Sequence, residues 1–222
     1  MYSIELVIAR YREDLNWLNN TPPGLKRTVY DKSGNALVSN AISLPNVGRE
    51  AHTYLHHLIS HYDSLADWTI FCQGRPFDHA YDFHHTLRDF AAQPDAIGSF
   101  RWLGHLIDTD DNQGYTLFRT WSKNEDGRTL DLRRFHQELF GTAGPPEYTF
   151  VLGAQFAVHR DLVRSRPLTF YEHALHLSQT FPDAAHCYER LWDRVFGVEG
   201  IDRPWLAGRK TVLLKKMKKQ TV

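Results

Sequence analysis

Trp68-Thr69-Ile70-Phe71-Cys72-Gln73-Gly74-Arg75-Pro76-Phe77-Asp78-His79 is the stretch on which the fold turns. Its first five residues are apolar or β-branched, the composition of a buried strand, and the run then breaks into Gln, Gly, Arg, Asp and His. A strand that empties straight into hydrogen-bonding side chains places them at a sheet edge, where ligands meet the protein. Upstream, Gly48 to Leu65 carries Ala51, Leu55, Leu58, Tyr62 and Leu65 at spacings of three and four, one face of a helix. Before it, Lys26 to Tyr30 reads as a strand closed by the turn Asp31-Lys32-Ser33-Gly34, and Ile4 to Ala9 as the first strand. Glu13 to Leu18 predicts the first turns of a helix, stopped by Pro22-Pro23-Gly24.

Downstream, Tyr81 to Ala92 and Leu132 to Phe140 predict helices, with Asp131 placed to cap the second. Tyr148 to Val158 reads as a strand interrupted at Gly153. Pro167 to Thr180 and Pro182 to Phe196 read as helices opened by proline, the latter ended by Gly197. Strands alternating with helices predict an α/β fold with a largely parallel central sheet flanked by helices. Ligands of such sheets bind beyond the C-terminal strand ends. No repeat or low-complexity linker breaks the chain, so one domain is expected over 1–208, followed by a basic tail over 209–222.

The composition narrows the function. The 222 residues carry 26 basic and 26 acidic side chains, which argues against a basic nucleic-acid-binding surface and makes any anion site local. Cys72 and Cys187 sit among apolar neighbours and read as reduced core residues. The N-terminal residues lack the pattern of a signal peptide, and no apolar run is long enough for a transmembrane segment, so a soluble, cytoplasmic protein is expected.

Two motifs carry candidate chemistry. In Asn46-Val47-Gly48-Arg49-Glu50, glycine at a helix start lets backbone amides approach an anion, and Arg49 offers a planar fork for phosphate or carboxylate. The same residues also suit an ordinary helix cap, with Arg49 and Glu50 solvated. In Gln73 to His79, Asp78 is a candidate ligand for Mg²⁺ or Mn²⁺, with His79 joining or positioning it. A tight turn at Gly74 and Pro76, with Asp78 capping the next helix, is the other reading.

Further patterns compete. Asp108-Thr109-Asp110-Asp111-Asn112-Gln113-Gly114 begins like a calcium loop, but its glycine is one place late and Arg119 replaces the closing Glu. It also contains an Asp-x-Asp triplet of the kind that binds a metal–diphosphate, and reads foremost as a polar surface loop. His52 and His56 have zinc-compatible spacing without a third ligand and read as solvated or capping residues. On the Pro182 helix, Tyr188, Leu191, Trp192 and Val195 form the apolar face. His186, Glu189, Arg190 and Asp193 lie opposite; Glu189, at the boundary, is either a part-desolvated general base or one member of a surface pairing network. Lys215-Lys216-Met217-Lys218-Lys219 reads as a solvated end.

Taken together, Glu5 to Tyr11, Asn46 to Leu55, Phe71 to His79, Gly153 to Val158 and His186 to Trp192 resemble a family labelled only as a domain of unknown function. That family is similar to glycosyltransferases of the GT-A fold, and the layout is also similar to a compact chlorella-virus glycosyltransferase domain that uses a UDP-sugar with Mn²⁺. The resemblance spans roughly residues 4 to 197. It implies a GT-A-like domain in which Ala9, Arg10 and Tyr11 hold the nucleotide base and Asp31 approaches the uracil or ribose. It sets Asn46, Gly48 and Arg49, with Gln73 and Arg75, around the nucleotide-sugar, and Gly153, Ala154 and Gln155 along the donor sugar. Asp78, with His79, stands where the family's Asp-x-Asp motif holds Mn²⁺ or Mg²⁺, and Glu189, with His186, where inverting members keep their base.

The implied activity is transfer of a sugar from a UDP-linked donor to a glycan or other hydroxyl acceptor. A non-catalytic nucleotide-sugar or glycan binder is the second hypothesis. The third is a metal-dependent hydrolase built on Asp78, His79 and other histidines.

Overall fold

The computed structural model describes residues 2–34, 39–94, 98–121 and 127–214. The chain begins with β1 (Ile4–Arg10), β2 (Lys26–Asp31), β3 (Ile42–Ser43), α1 (Arg49–Ser60), β4 (Trp68–Gln73) and α2 (Phe83–Ala92). β5 (Phe100–Trp102), β6 (Leu106–Asp111), α3 (Phe118–Trp121), α4 (Leu132–Phe140), β7 (Glu147–Val151) and β8 (Phe156–His159) follow. The C-terminal part adds α5 (Arg160–Arg164), α6 (Leu168–Thr180), α7 (Ala184–Glu189), α8 (Trp192–Val195), α9 (Arg203–Leu206) and β9 (Val212–Leu213).

The six-stranded central sheet has the order β3-β2-β1-β4-β8-β5. β1 runs parallel to both β2 and β4, with Ile8 opposite Val29 and Cys72, and β3 continues parallel to β2. β8 and β5 close the other edge antiparallel. The architecture is therefore mixed α/β around a mostly parallel sheet.

Side chains alternate across this sheet as strand geometry requires. Leu6, Ile8, Ile70 and Cys72 pack against Phe83, Leu87 and Phe90 of α2. Val7, Phe71 and Phe156 face the opposite layer, where Tyr54 and Leu58 of α1 meet Tyr188 and Trp192. Both cysteines are buried and free. Among the described residues no helix is long and apolar enough to cross a membrane.

Several expectations change. The segment Glu13 to Leu18 forms no α-helix; a 3-10 turn covers Asn16–Asn20, and the Glu13 carboxylate accepts the backbone N–H groups of Tyr11 and Arg12. Tyr148 to Val158 is not one broken strand. It splits into β7 and β8, which belong to different sheets, and Gly153 (φ 98°) and Ala154 (φ 53°) turn the chain between them. The Pro182 helix begins instead after Asp183 and breaks at Arg190–Leu191 into α7 and α8.

The supposed surface loop at Asp108 is strand β6, paired with β7 and β9, and Asp110 is completely buried in it. Its carboxylate accepts the N–H groups of Leu117 and Phe118, so the acidic run caps a turn from inside. The segment from Arg209 begins inside the fold, with Val212 opposite Ile107, whereas Lys215 to Lys219 lie outside the described residues.

Candidate functional site

The C-terminal ends of β1, β2 and β4 open into a cavity of about 570 Å³. A second cavity of about 240 Å³ adjoins it, and Arg49, Glu50 and Gln73 line both. In the larger one they are joined by the bases Arg10, Lys32 and Arg75, the acids Glu13 and Asp78, and Ala9, Tyr11 and Asn46. The smaller one is bounded by Leu117, Phe118, Trp121 and Leu152 together with His79, His186, Glu189 and Arg190.

The loop into α1 is held from three sides. Gly48 has φ 59°, and a Cβ there would collide with the carbonyl oxygen of Ser178, so α6 packs directly against its backbone. Arg49 follows at φ 47°, a left-handed conformation rare for a residue with a side chain, and such strain concentrates at functional sites. Lys32 pins the turn: its Nζ donates to the carbonyls of Val47 (2.6 Å) and Arg49 (2.5 Å) and lies 3.3 Å from Nδ1 of His52. Burial lowers the Lys32 pKa to about 8 and the His52 pKa to about 4. His52, expected to be solvated or capping, is thus an interior residue behind the site.

Arg49 reaches across the junction to within 3.3 Å of Nε2 of His186. Beside it, Glu50 is half-buried between the two cavities. Desolvation, reinforced by the nearby Glu189 charge, raises its carboxyl to about 7, against opposing pulls from its own backbone N–H, Arg49 and Lys32. A carboxyl poised near neutrality in a cavity wall is a candidate acid–base group. Reading the sequence alone left Glu50 solvated. Its place in the first turn beside Arg49 was visible, but the carboxylate of Glu189, 139 positions further on, was not.

Glu189 is more constrained. Its Oε1 accepts the Gly153 N–H at 2.7 Å, and its Oε2 lies 3.5 Å from Arg190 and 4.0 Å from His186. Burial lowers the pKa of His186, outweighing the opposing pull of Glu189. Arg190, expected on a surface face, is buried: Nε and Nη2 both meet Asp110 Oδ2 at 2.8 Å, while Nη1 donates to the His186 carbonyl. This pair ties the Leu117–Phe118 turn to α7 and was invisible because its partners lie 80 positions apart.

Other expected residues are tied into the scaffold, although Arg10 also lines the larger cavity. Arg10 is buried and paired with Asp31 at 2.5 Å, and Asp31 also accepts the Ser33 N–H. The Asp31 carboxylate is therefore committed to holding β1 beside β2 and lines neither cavity. Ala154 and Gln155 are completely buried, and Gln155 donates to the Pro76 carbonyl rather than reaching a ligand. Gly153 leaves room for the His79 ring, which a Cβ would strike.

The expected metal position does not suit a resident divalent cation. The Asp78 carboxylate is exposed and lies 3.5 Å from the cationic Arg75, whereas His79 borders the other cavity. Among the described residues no three His, Cys, Asp or Glu side chains gather around one point. A hard cation needs several oxygen donors, and one carboxylate shared with a guanidinium is a poor start.

Fold and site together define a mixed α/β protein with a pair of adjoining cavities at the ends of its parallel strands. The chain belongs to the family described as "Protein of unknown function (DUF3431)", which it matches over residues 6–207. No curated protein matches it. Among solved structures, one similar chain is CMP:2-keto-3-deoxy-manno-octonic acid synthetase complexed with CTP. The identity is 14%, with 93% of this chain and 95% of that chain covered, and the TM-score of 0.38 is too low to bear on fold or function.

Proposed function

We propose that the protein is a glycosyltransferase that moves a sugar from a nucleotide-linked donor, UDP-linked in the first instance, to a hydroxyl acceptor. The observation that carries this reading is the pair of joined cavities sharing Arg49, Glu50 and Gln73 as a common wall. The larger chamber, where Arg10, Lys32, Arg49 and Arg75 outnumber Glu13, Glu50 and Asp78, suits a nucleoside diphosphate, and the adjoining chamber suits an acceptor. Tyr11, 41% exposed, offers a ring for the base to stack on, and Arg49 and Arg75 face the position of the diphosphate.

In the step envisaged, the acceptor oxygen bonds to the anomeric carbon and the bond from that carbon to the diphosphate oxygen breaks. The acceptor proton passes to the Glu50 carboxylate, and the negative charge on the departing diphosphate is met by the two arginines. Glu189 acts through Glu50: a fixed carboxylate nearby raises the proton affinity of the base. Lys32 contributes by holding the Arg49 turn rather than by binding phosphate.

Thermal denaturation with UDP, GDP and CMP, each with and without Mn²⁺, tests the reading. A ligand at one hundred times its Kd stabilises the native state by about 2.7 kcal/mol. UDP is expected to raise the melting temperature, and Glu50→Gln to abolish turnover of a UDP-sugar while leaving that rise intact. The Mn²⁺ arms establish whether the diphosphate brings a cation with it. If no nucleotide stabilises the protein, the reading fails. If UDP-sugars bind and are never consumed, the protein is a nucleotide-sugar binder.

A further inference from the structure

The smaller cavity holds a feature that the transfer step does not use. Among the tryptophans whose side chains are described, Trp17, Trp68, Trp102 and Trp192 are buried or half-buried, but Trp121 is 68% exposed. An indole left in water forgoes one of the largest burial gains available to a side chain, so its position in a cavity wall asks for an occupant. The backbone beneath it is well anchored: Asp110, itself clamped by Arg190, accepts the N–H groups of Leu117 and Phe118 at the start of α3, and the Trp121 N–H donates to the Leu117 carbonyl. The Phe118 ring packs edge-on against His186, 5.1 Å between centroids. The aromatic wall and the polar wall are thereby fixed relative to each other.

The chemistry of the two walls is complementary. Leu117, Phe118, Trp121 and Leu152 supply apolar surface, while Glu50, Gln73 and Glu189 supply hydrogen-bonding groups. The full charge of Arg190 is already met by Asp110. An anionic occupant would face two carboxylates, and a strongly cationic one would face Arg49. At about 240 Å³ the chamber is below the roughly 300 Å³ at which drug-sized ligands are housed, so it fits one small ring. A neutral molecule with an apolar face and hydroxyls around its rim satisfies all of these conditions, and that description is a pyranose.

We propose that this cavity is the acceptor subsite and that its occupant is a neutral pyranose unit stacked on the Trp121 indole, with one hydroxyl turned toward Glu50. The inference rests on the transferase reading, whose acceptor it narrows from any hydroxyl compound to a sugar.

Saturation-transfer NMR on the full chain tests it. The probes are methyl α- and β-pyranosides of gluco, galacto and manno configuration, phenol, and glucose 6-phosphate, each with and without UDP. At least one methyl pyranoside is expected to bind, with saturation strongest on the ring C–H protons of one face. Trp121→Ala should weaken it roughly threefold to tenfold, the range expected for loss of one aromatic contact, and Trp121→Phe should recover part of the loss. The proposal is overturned if UDP binds but no pyranoside does, if phenol or the sugar phosphate binds better than every neutral pyranoside, or if Trp121→Ala leaves binding unchanged. Failure of UDP to bind strikes the donor reading instead, since the pyranoside arms without UDP report on this subsite directly.

Discussion

Replacing Glu50 by glutamine should make the protein more stable and inactive at the same time, with a pH dependence set by the position of that carboxyl. Its pKa rises from 4.5 to about 7 on folding, chiefly because burial disfavours the charge. A group raised in this way holds its proton more tightly in the native state, so its contribution to stability is complete below pH 4.5 and is lost as the pH climbs through 7. At about 1.4 kcal/mol per tenfold change in proton affinity, the cost of ionising Glu50 above pH 7 has a ceiling of roughly 3 kcal/mol. The carboxyl borders two open cavities, and glutamine also gives up attraction to Arg49 and Lys32, so about 1–2 kcal/mol is expected. In a domain of this size that corresponds to a rise of roughly 2–8 °C in melting temperature. Urea denaturation of both proteins from pH 4.5 to 8.5 gives the measurement. The variant should pull ahead of the parent between pH 5 and 7.5 and hold its lead above. A stability difference that stays flat across this range would refute the account of Glu50 as a desolvated carboxyl, and with it the reason for casting it as a base near neutrality.

Asp110→Asn strands the Arg190 guanidinium in the interior and should cost about 3–5 kcal/mol by chemical denaturation. Pairing it with Arg190→Met should recover much of that loss, and additive single effects would show that the two side chains do not act as a unit. Gly48→Ala places a methyl group against the Ser178 carbonyl at a left-handed backbone position, and a loss of roughly 2 kcal/mol or more is expected. Thermal melts within a degree of the parent would show that the loop has slack. His136 is buried, its Nδ1 has no partner among the described residues, and burial lowers its pKa to about 4. Native stability therefore falls as pH drops from 6.5 toward 4, while His136→Phe should resist that fall, so its stability relative to the parent grows with acidity. An unchanged acid-denaturation midpoint would contradict this.

Local patterning made much of the architecture legible. The runs Ile4 to Ala9, Lys26 to Tyr30 and Trp68 to Cys72 became β1, β2 and β4, each within a residue of its expected end. Each of these strands has neighbours on both sides, so composition alone marks them. Asp131 caps α4 as anticipated, accepting the Arg134 N–H, because a cap is decided within four residues. Failures occurred where distant segments decide the outcome. Tyr148 to Val158 has the composition of one strand, but its halves belong to different sheets. The acids at Asp108 and Asp110 looked solvated because their strand partners in β7, Phe150 and Tyr148, are far along the chain.

The same division runs through the site. By itself the sequence determined that Asn46 to Glu50 and Gln73 to His79 lie at strand and helix ends, because glycine, proline and short polar residues end regular structure through their own backbone preferences. It also carried the resemblance to a family of unknown function. Only the tertiary structure decided which side chains face the cavities. Arg10 lines the larger cavity while paired with Asp31, which faces neither cavity, Gln155 turns into the core, and Asp78 and His79 part to different chambers. Glu50 becomes the shared carboxyl because burial and the charge of Glu189 act on it together. Desolvation and Coulomb energy depend on distance through space, and spacing along the chain does not encode that distance.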